Sequence, residues 1–198
     1  MNEIILKNGR IIGEGSPCYI MVDIAANHNG DLDTAKELIR KAAEAGADAV
    51  KFQTYRAEEL YSKKTPQFSR DAMKPYDLIK KVQHPREWIP QLFEYAKDCG
   101  IDFLSSPFDF DAVDLLDDAG VGLFKVASPE IVDLRLIKYI AAKGNPVILS
   151  TGMASLEEIE EAVEAARSTG NGNIALLHCS TCYPSPAHIV NLKVMETL

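Results

Sequence analysis

Six short apolar stretches, each ending in polar residues, constrain the fold of this chain more than any other feature of its sequence. Most of them are separated by segments in which apolar residues recur with a helical period of about 3.6 residues. Strands that alternate with helices in this way predict a parallel sheet covered by helices. The six stretches occupy residues 19–30, 49–55, 102–109, 123–130, 147–153 and 174–184.

The predicted fold class is α/β, with a (β/α)8 barrel of the TIM type as the leading architecture. Polar clusters follow nearly every strand, as expected when the strand-to-helix loops build one site at the carboxyl rim of a barrel. A doubly wound parallel sheet is the alternative, and it would concentrate its site near one switch point. Because a barrel needs eight strands and about 250 residues, we interpret residues 1–198 as its N-terminal part, with a hairpin and about six β/α units.

Local signals predict several element boundaries. Asn8 and Gly9 lie between two apolar runs, which predicts a small hairpin over residues 3–14. Ser155 and Glu158 have the spacing of a capping box, which predicts that a helix begins there.

Two segments have weaker patterns. The long polar segment 56–83 follows the second strand and is expected to cover a substrate, with some helix near 76–82. An excursion without a function is the alternative for this segment. The last residues, 187–198, are expected to begin another helix.

The composition excludes several classes of function. With 46% hydrophobic and 25% charged residues, the chain is expected to form one soluble globular domain. Its net charge of −8 argues against binding of nucleic acid or an anionic membrane, because such surfaces need clustered Lys and Arg. No stretch approaches the roughly 20 apolar residues of a transmembrane helix, and the first residues lack the pattern of a secretory signal.

The four cysteines are scattered along the chain, which is typical of reduced thiols and predicts a cytoplasmic protein. Cys179 and Cys182 have the spacing of redox and zinc motifs. They follow a late strand instead of opening a helix after the first one, so we do not expect either role.

Two lysines inside apolar strands point to an anionic partner. Strand alternation places Lys51 and Gln53 on one face and Val50 and Phe52 on the other, and the same reasoning turns Lys125 toward the interior. A lysine is almost never fully buried unless its charge is paired. An anion with two or more charges, such as a phosphorylated substrate, would satisfy both lysines.

Serines at three strand ends strengthen the hypothesis of an anion site. Ser106, Ser128 and Ser150 can each donate a hydroxyl hydrogen to a phosphate or carboxylate. The alternative is that each lysine pairs with an interior carboxylate, Asp23 or Glu130, for structural reasons only. Lysines on two separate strands, with hydroxyls at three strand ends, favour the anion site.

The remaining polar residues near the strand ends have less specific patterns. Asp23 could act as a base, orient a hydroxyl or balance the lysines. The pattern around His28 in the first loop fits a functional-site residue and a core residue equally well. His178 is expected to be a hydrogen-bonded core histidine. Tyr183 is a candidate substrate contact. The remaining histidines, His84 and His188, belong to no motif and are expected to face solvent.

Six motifs in order resemble one enzyme family across most of residues 19–186. They are DIAANHNG, GADAVKFQTY, FLSSPFD, KVASPEI, ILSTGMAS and LLHCSTCYPSP. They are similar to those of the nonulosonic (sialic) acid synthases, which include the N-acetylneuraminate, legionaminate and pseudaminate synthases. The resemblance implies a barrel enzyme that condenses phosphoenolpyruvate (PEP) with an N-acetylated amino sugar and releases phosphate.

The resemblance also implies roles for individual residues. Asp23, Lys51 and Lys125 match positions expected to be catalytic, although the family usually has glutamate in place of Asp23. The residues that match PEP-binding positions are Lys51, Ser106, Lys125, Ser128 and Ser150, with Thr181 at a position where some members have asparagine. The residues that match sugar-binding positions are Gln53, Glu130 and Tyr183.

The resemblance further implies a divalent metal, Mn2+ or Mg2+, and a homodimer for the complete form. The metal ligands of the family are two histidines from the last part of the barrel, and residues 1–198 are expected to end before them and before the C-terminal antifreeze-like domain. A fragment that binds an anion without turnover is one alternative function. An aldolase that forms a Schiff base on one of the lysines is the other.

Overall fold

The computed structural model describes residues 3–68 and 72–198. Residues 69–71, which belong to the segment predicted to cover a substrate, lie outside the described part. The chain divides into two compact units. We call Pro17–Val121 the central unit, and Met1–Ser16 together with Gly122–Leu198 the terminal unit.

The terminal unit begins with the hairpin that the sequence predicted. Strands β1 (Ile4–Ile5) and β2 (Ile11–Ile12) pair antiparallel. Gly9 has a φ of 83°, a left-handed conformation that glycine adopts without steric cost. The Asn-Gly pair therefore closes the turn, as expected from its position between two apolar runs.

The central unit is a three-stranded parallel sheet covered by helices, with β3 (Met21–Asp23), β4 (Ala49–Thr54) and β5 (Asp102–Pro107) side by side in that order.

Helix α1 (Leu32–Glu44) begins where the Asp31 carboxylate accepts a hydrogen bond from the backbone N–H of Thr34. The chain leaves this helix through Gly46, which has a φ of 82°. The elements, in chain order, are β3 (Met21–Asp23), α1 (Leu32–Glu44), β4 (Ala49–Thr54), α2 (Ala57–Leu60), α3 (Pro75–Val82), α4 (Trp88–Asp98), β5 (Asp102–Pro107) and α5 (Phe110–Asp118).

The terminal unit contains a second three-stranded parallel sheet, with strand order β6-β7-β8. The capping box between Ser155 and Glu158 is confirmed, since both of its hydrogen bonds are present at the start of α7. The elements are β6 (Phe124–Val126), a 3-10 turn (Ser128–Val132), α6 (Leu134–Ala142), β7 (Val147–Ser150), α7 (Leu156–Arg167), β8 (Ile174–Leu177) and two more 3-10 turns (Ala187–Ile189 and Leu192–Glu196).

The prediction of a helix over residues 187–198 is wrong. Two short 3-10 turns occupy this segment, and Asn191 between them is left-handed, with φ 46° and ψ 50°. One left-handed residue interrupts the run of helical dihedral angles that an α-helix needs.

The predicted fold class is confirmed at the level of α/β. All six strands expected from the apolar stretches are present, three in each unit, and the two sheets are parallel. Within each unit the order of strands across the sheet is their order along the chain. In the part of the chain that the structure describes, no helix has the length and apolar character needed to cross a membrane.

Candidate active site

In the central unit, strand register brings four of the predicted site residues onto one face of the sheet. Asp23 is the partner of Lys51 across β3 and β4, and Gln53 is the partner of Ser106 across β4 and β5. Side chains alternate along a strand, so Lys51 and Gln53 share a face, as the sequence predicted. We call Asp23, Lys51, Gln53 and Ser106 the Lys51 cluster.

The ammonium of Lys51 is paired with a carboxylate. Its Nζ atom donates to Oδ1 of Asp23 at 2.8 Å. The Lys51 side chain is 9% exposed, whereas that of Asp23 is 55% exposed. The sequence left open, as an alternative, that Lys51 pairs with Asp23 for structural reasons only. This ion pair is present, and the Asp23 carboxylate faces water.

Ser106 has a buried hydroxyl that makes no hydrogen bond to any described residue. Its side chain is 1% exposed and lies on the same face as that of the half-buried Gln53. The neighbouring Ser105 points to the opposite face, where its Oγ lies 2.8 Å from Oγ1 of Thr54. Buried polar atoms are normally hydrogen-bonded, so the Ser106 hydroxyl is a donor and acceptor that residues 3–68 and 72–198 do not use.

In the terminal unit, a second group of predicted residues lies at the carboxyl ends of β6 and β7. We call Lys125, Ser128, Glu130 and Ser150 the Lys125 cluster. Lys125 is 6% exposed, and its Nζ donates to the carbonyl oxygen of Val126 at 3.0 Å and to Oγ of Ser150. A buried ammonium thus donates to two neutral oxygen atoms near the end of a parallel strand.

Glu130 is a carboxyl group that can hold a proton near neutral pH. Burial raises the pKa of Glu130 to about 7, although the positive charge of Lys125 acts in the opposite direction. Its Oε2 atom is buried and has no hydrogen-bond partner among the described residues. Groups perturbed in this way are typical of functional sites.

Gly152 allows the loops of the terminal unit to approach the end of β7 closely. A Cβ atom at this position would lie 2.6 Å from Cγ2 of Thr181, 2.9 Å from Oγ of Ser128 and 3.2 Å from Cβ of Cys179. The backbone N–H of Gly152 donates to Oγ of Ser128 at 3.2 Å. Glycine is therefore required here because the space of a side chain is already filled, a constraint that the motif ILSTGMAS did not reveal.

The two remaining predicted contacts are at the surface. Thr181 and Tyr183 are both exposed, Tyr183 at 93%. The methyl group of Thr181 is the atom nearest to the position of a Cβ at Gly152. Binding of a substrate by either side chain stays a prediction.

The prediction that His84 faces solvent is wrong. Its ring is 6% exposed and stacks on Trp88, with centroids 6.1 Å apart, and lies 5.7 Å from the ring of His28. His28, left open by the sequence, is 1% exposed, and its Nδ1 accepts from the N–H of Gly30 at 3.0 Å. Aromatic neighbours brought in by the fold bury both histidines.

The prediction for His188 is confirmed, and that for His178 is confirmed for its hydrogen bond but not for a place in the core. His178 is half-buried, and its Nε2 lies 2.6 Å from the carbonyl oxygen of Val190. His188 is exposed.

One ion pair in the central unit was missed by the sequence analysis. Arg86, just before α4, pairs with Asp109, and both side chains are largely buried. Asp109 also caps α5, because its Oδ1 accepts from the N–H of Ala112 at 2.8 Å. The position of Asp109 before an apolar helix could have predicted that it caps the helix. No sequence pattern near Arg86 indicated that it pairs with Asp109.

A metal site is not formed by the residues that the structure describes. Within 3–68 and 72–198, no group of three or more His, Cys, Asp or Glu side chains could hold a metal ion. The divalent metal implied by the resemblance stays a prediction, and no step of the proposed reaction depends on it.

Together, the parallel sheets, the buried lysines and the hydroxyls at strand ends define an α/β protein with a group of polar residues around a buried lysine in each unit. The chain belongs to the NeuB family, whose model matches residues 38–198.

Individual relatives agree with this assignment. The chain is 43% identical over 187 residues to the N,N'-diacetyllegionaminic acid synthase of Campylobacter jejuni, covering 90% of this chain and 56% of that protein. It is 39% identical over 188 residues to the pseudaminic acid synthase of Helicobacter pylori, covering 92% of this chain and 55% of that protein. The chain thus spans about half the length of the curated relatives it matches.

Among solved structures, the chain is similar to the N-acetylneuraminic acid (sialic acid) synthetase of Leptospira borgpetersenii in complex with citrate. The TM-score is 0.89 and the sequence identity 34%, covering 98% of this chain and 65% of that one.

Proposed function

We propose that this chain contributes PEP-binding residues to an enzyme that condenses PEP with an N-acetylated amino sugar and releases phosphate. The product would be a nonulosonic acid such as N-acetylneuraminate. The observation that carries the proposal is the buried Lys125, whose ammonium donates to Ser150 at the carboxyl end of a parallel strand. Membership of the NeuB family and the names of the synthases it resembles support this reading.

The Lys125 cluster has the chemistry that an anionic substrate requires. PEP carries a phosphate and a carboxylate, and both accept hydrogen bonds from ammonium and hydroxyl donors. Lys125 would supply the charge, and the hydroxyls of Ser128 and Ser150 would supply directed donors. The Leptospira synthetase was solved in complex with citrate, a polycarboxylate, which favours an anion site in this chain as well.

In the proposed reaction, C3 of PEP attacks the aldehyde carbon of the open-chain sugar, and the aldehyde oxygen takes up a proton. The C2=C3 π pair of PEP forms the new C–C bond, which leaves C2 as an oxocarbenium carbon. Water adds there and loses one proton to the solvent, and the hydroxyl so formed loses its second proton as phosphate leaves. The resulting tetrahedral carbon expels phosphate as the C–O bond breaks, which leaves the keto group of the product. The ammonium of Lys125 would stabilise the anionic groups while charge redistributes.

Glu130 is a candidate for the proton transfer to the sugar oxygen. Since its pKa is raised to about 7, the carboxyl is partly protonated at neutral pH and could donate to an oxygen that gains charge. The Oε2 atom of Glu130 has no partner among the described residues. A hydroxyl of the substrate could therefore form a hydrogen bond with it.

Five further parts of the proposal go beyond the two clusters. A (β/α)8 barrel is supported by the parallel sheets, in which strand order follows chain order, and by the similarity to the sialic acid synthetase. A divalent cation and a homodimer are included because the family resemblance implies them. A cytoplasmic location and selection of the sugar by segment 56–83 also stay predictions.

Titration of PEP into the chain and into Lys125→Ala tests the proposal. A charge-assisted contact contributes roughly 1.5–3 kcal/mol, so the variant should bind PEP about ten- to a hundredfold more weakly. Lys138→Ala is the matched control, because Lys138 is exposed on α6. Equal affinity of Lys125→Ala and the unmodified chain would contradict the proposal.

The two alternatives give different results. A Schiff-base aldolase would be trapped covalently on a lysine by borohydride in the presence of substrate. A fragment that only binds an anion would retain PEP affinity and release no phosphate when the amino sugar is added.

A further inference from the structure

We propose that Cys179 is a positioning residue that directs the hydroxyl hydrogen of Ser150 toward a bound anion. The inference rests on the proposed function, because the anion in question is PEP at the Lys125 cluster. It concerns a thiol to which the sequence assigned no role.

The oxygen atom of Ser150 receives two donors. Ser150 is 3% exposed at the end of β7, and its Oγ accepts a hydrogen bond from Nζ of Lys125. The Sγ of Cys179 lies 3.3 Å from the same oxygen and is positioned to donate to it. A hydroxyl oxygen has two acceptor lone pairs and one hydrogen to donate. If both donors act, the two lone pairs of Ser150 are occupied.

A second acceptor competes for the thiol hydrogen. The carbonyl oxygen of Leu177 lies 3.5 Å from Sγ of Cys179. That oxygen already accepts from the backbone N–H and from Oγ1 of Thr151, each at 3.0 Å. A carbonyl oxygen has two lone pairs, so the Leu177 carbonyl is saturated. The thiol hydrogen is therefore directed to Ser150, which is also the nearer acceptor.

The remaining hydrogen of Ser150 then has no acceptor within the described protein. Ser150 makes its two contacts as an acceptor and donates to none of the described residues. An unused donor beside a buried ammonium is suited to an anion, since donors to charged groups form stronger hydrogen bonds than neutral pairs do. Without the thiol, one lone pair would be vacant, and the hydroxyl could rotate among several orientations.

The backbone places the thiol accurately. Ser150 is the partner of Leu177 in the parallel register of β7 and β8, and Cys179 follows two residues after Leu177. Gly152 has no side chain to obstruct this approach, because a Cβ there would lie 3.2 Å from Cβ of Cys179. The thiol position is thus a consequence of strand register and of one glycine.

The decisive experiment compares PEP affinity, by calorimetric titration, among Cys179→Ala, Cys179→Ser and Cys182→Ala. We expect Cys179→Ala to bind PEP about three- to tenfold more weakly, which is the effect of one neutral hydrogen bond. Cys179→Ser retains a donor and should bind within about twofold of the unmodified chain. Cys182→Ala should be unchanged, because the Cys182 side chain is exposed.

A double-mutant cycle separates positioning from general packing. If Cys179 acts through Ser150, the variant with both Cys179→Ala and Ser150→Ala should bind PEP as Ser150→Ala does alone. Additive losses, equal affinity of Cys179→Ala and the unmodified chain, or equal weakening by Ala and Ser would each overturn the inference. An unfolding midpoint for every variant shows whether a change in affinity follows a change in stability.

The Lys125→Ala variant distinguishes this inference from the proposed function. Weak binding by Lys125→Ala together with unchanged binding by Cys179→Ala would reject the role of the thiol and leave the proposed function in place. Unchanged binding by Lys125→Ala, or no binding by the unmodified chain, would reject both.

Discussion

Nζ of Lys51 lies 2.8 Å from Oδ1 of Asp23, and the lysine side chain is buried while the aspartate side chain is half exposed. The asymmetry means that removal of the carboxylate charge leaves a buried ammonium weakly compensated. Removal of the ammonium leaves only a carboxylate that water already reaches.

We therefore expect Asp23→Asn to lower the free energy of unfolding by about 1–3 kcal/mol. The double variant Asp23→Asn with Lys51→Met should recover most of this loss, because no unpaired charge remains buried. Urea unfolding of the two single variants and the double variant measures the coupling. Additive effects would show that the pair does not stabilise the fold.

Stability should depend on pH through Glu130. Because burial raises the pKa of Glu130 from 4.5 to about 7, the folded chain binds a proton that the unfolded chain releases in this range. Stability should therefore fall as the pH rises from about 4.5 to about 7, by at most about 3 kcal/mol at 1.36 kcal/mol per pKa unit. Glu130→Gln should remove this decrease, whereas Glu161→Gln, at an exposed position of α7, should preserve it.

The buried histidines should give the opposite dependence at lower pH. Burial lowers the pKa of both His28 and His84, and a nearby group lowers each pKa further, His84 for His28 and Arg86 for His84. Hydrogen bonds to backbone groups offset only part of the lowering at His84. The unfolded chain therefore binds more protons below about pH 6.5, and stability should decrease as the pH falls below that value. His84→Phe should reduce this loss in thermal unfolding at pH 5 and 7. His188→Phe, at an exposed position, should not.

Two adjacent serines offer a matched comparison. Ser106→Ala removes a buried hydroxyl that has no partner among the described residues, so its free energy of unfolding should be unchanged or higher by about 1 kcal/mol. Ser105→Ala breaks the contact of 2.8 Å with Thr54 and should be destabilising by about 1–2 kcal/mol. Destabilisation by both substitutions to the same extent would mean that Ser106 has a partner.

A methyl group at Gly152 should disturb the terminal unit. Gly152→Ala would place Cβ 2.6 Å from Thr181 and 2.9 Å from Ser128, so we expect a loss of about 1–3 kcal/mol together with weaker PEP binding. Gly172→Ala is the control, because no atom lies within 4 Å of its added Cβ. Equal stability of the two variants would show that the loops near Gly152 move aside at little cost.

The sequence by itself determined the order of strands and helices, the hairpin at Asn8 and Gly9, and the capping box at Ser155. These features depend on hydrophobic periodicity and on turn and cap chemistry, which act over a few neighbouring residues. It also determined that Lys51 and Gln53 share a face, because alternation is a property of any strand. For the same reason, most of the predicted site residues were found at the ends of strands.

Only the tertiary structure decided what those residues contact. The pairing of Lys51 with Asp23, the contact of the His84 ring with His28 and the approach of Cys179 to Ser150 all join residues that are far apart in the sequence. The failure of the predicted helix over 187–198 has a related cause, since helical propensity is a weak preference that a single left-handed residue interrupts. Such contacts depend on strand register and on the close approach of separate elements, for which a local sequence pattern carries no signal.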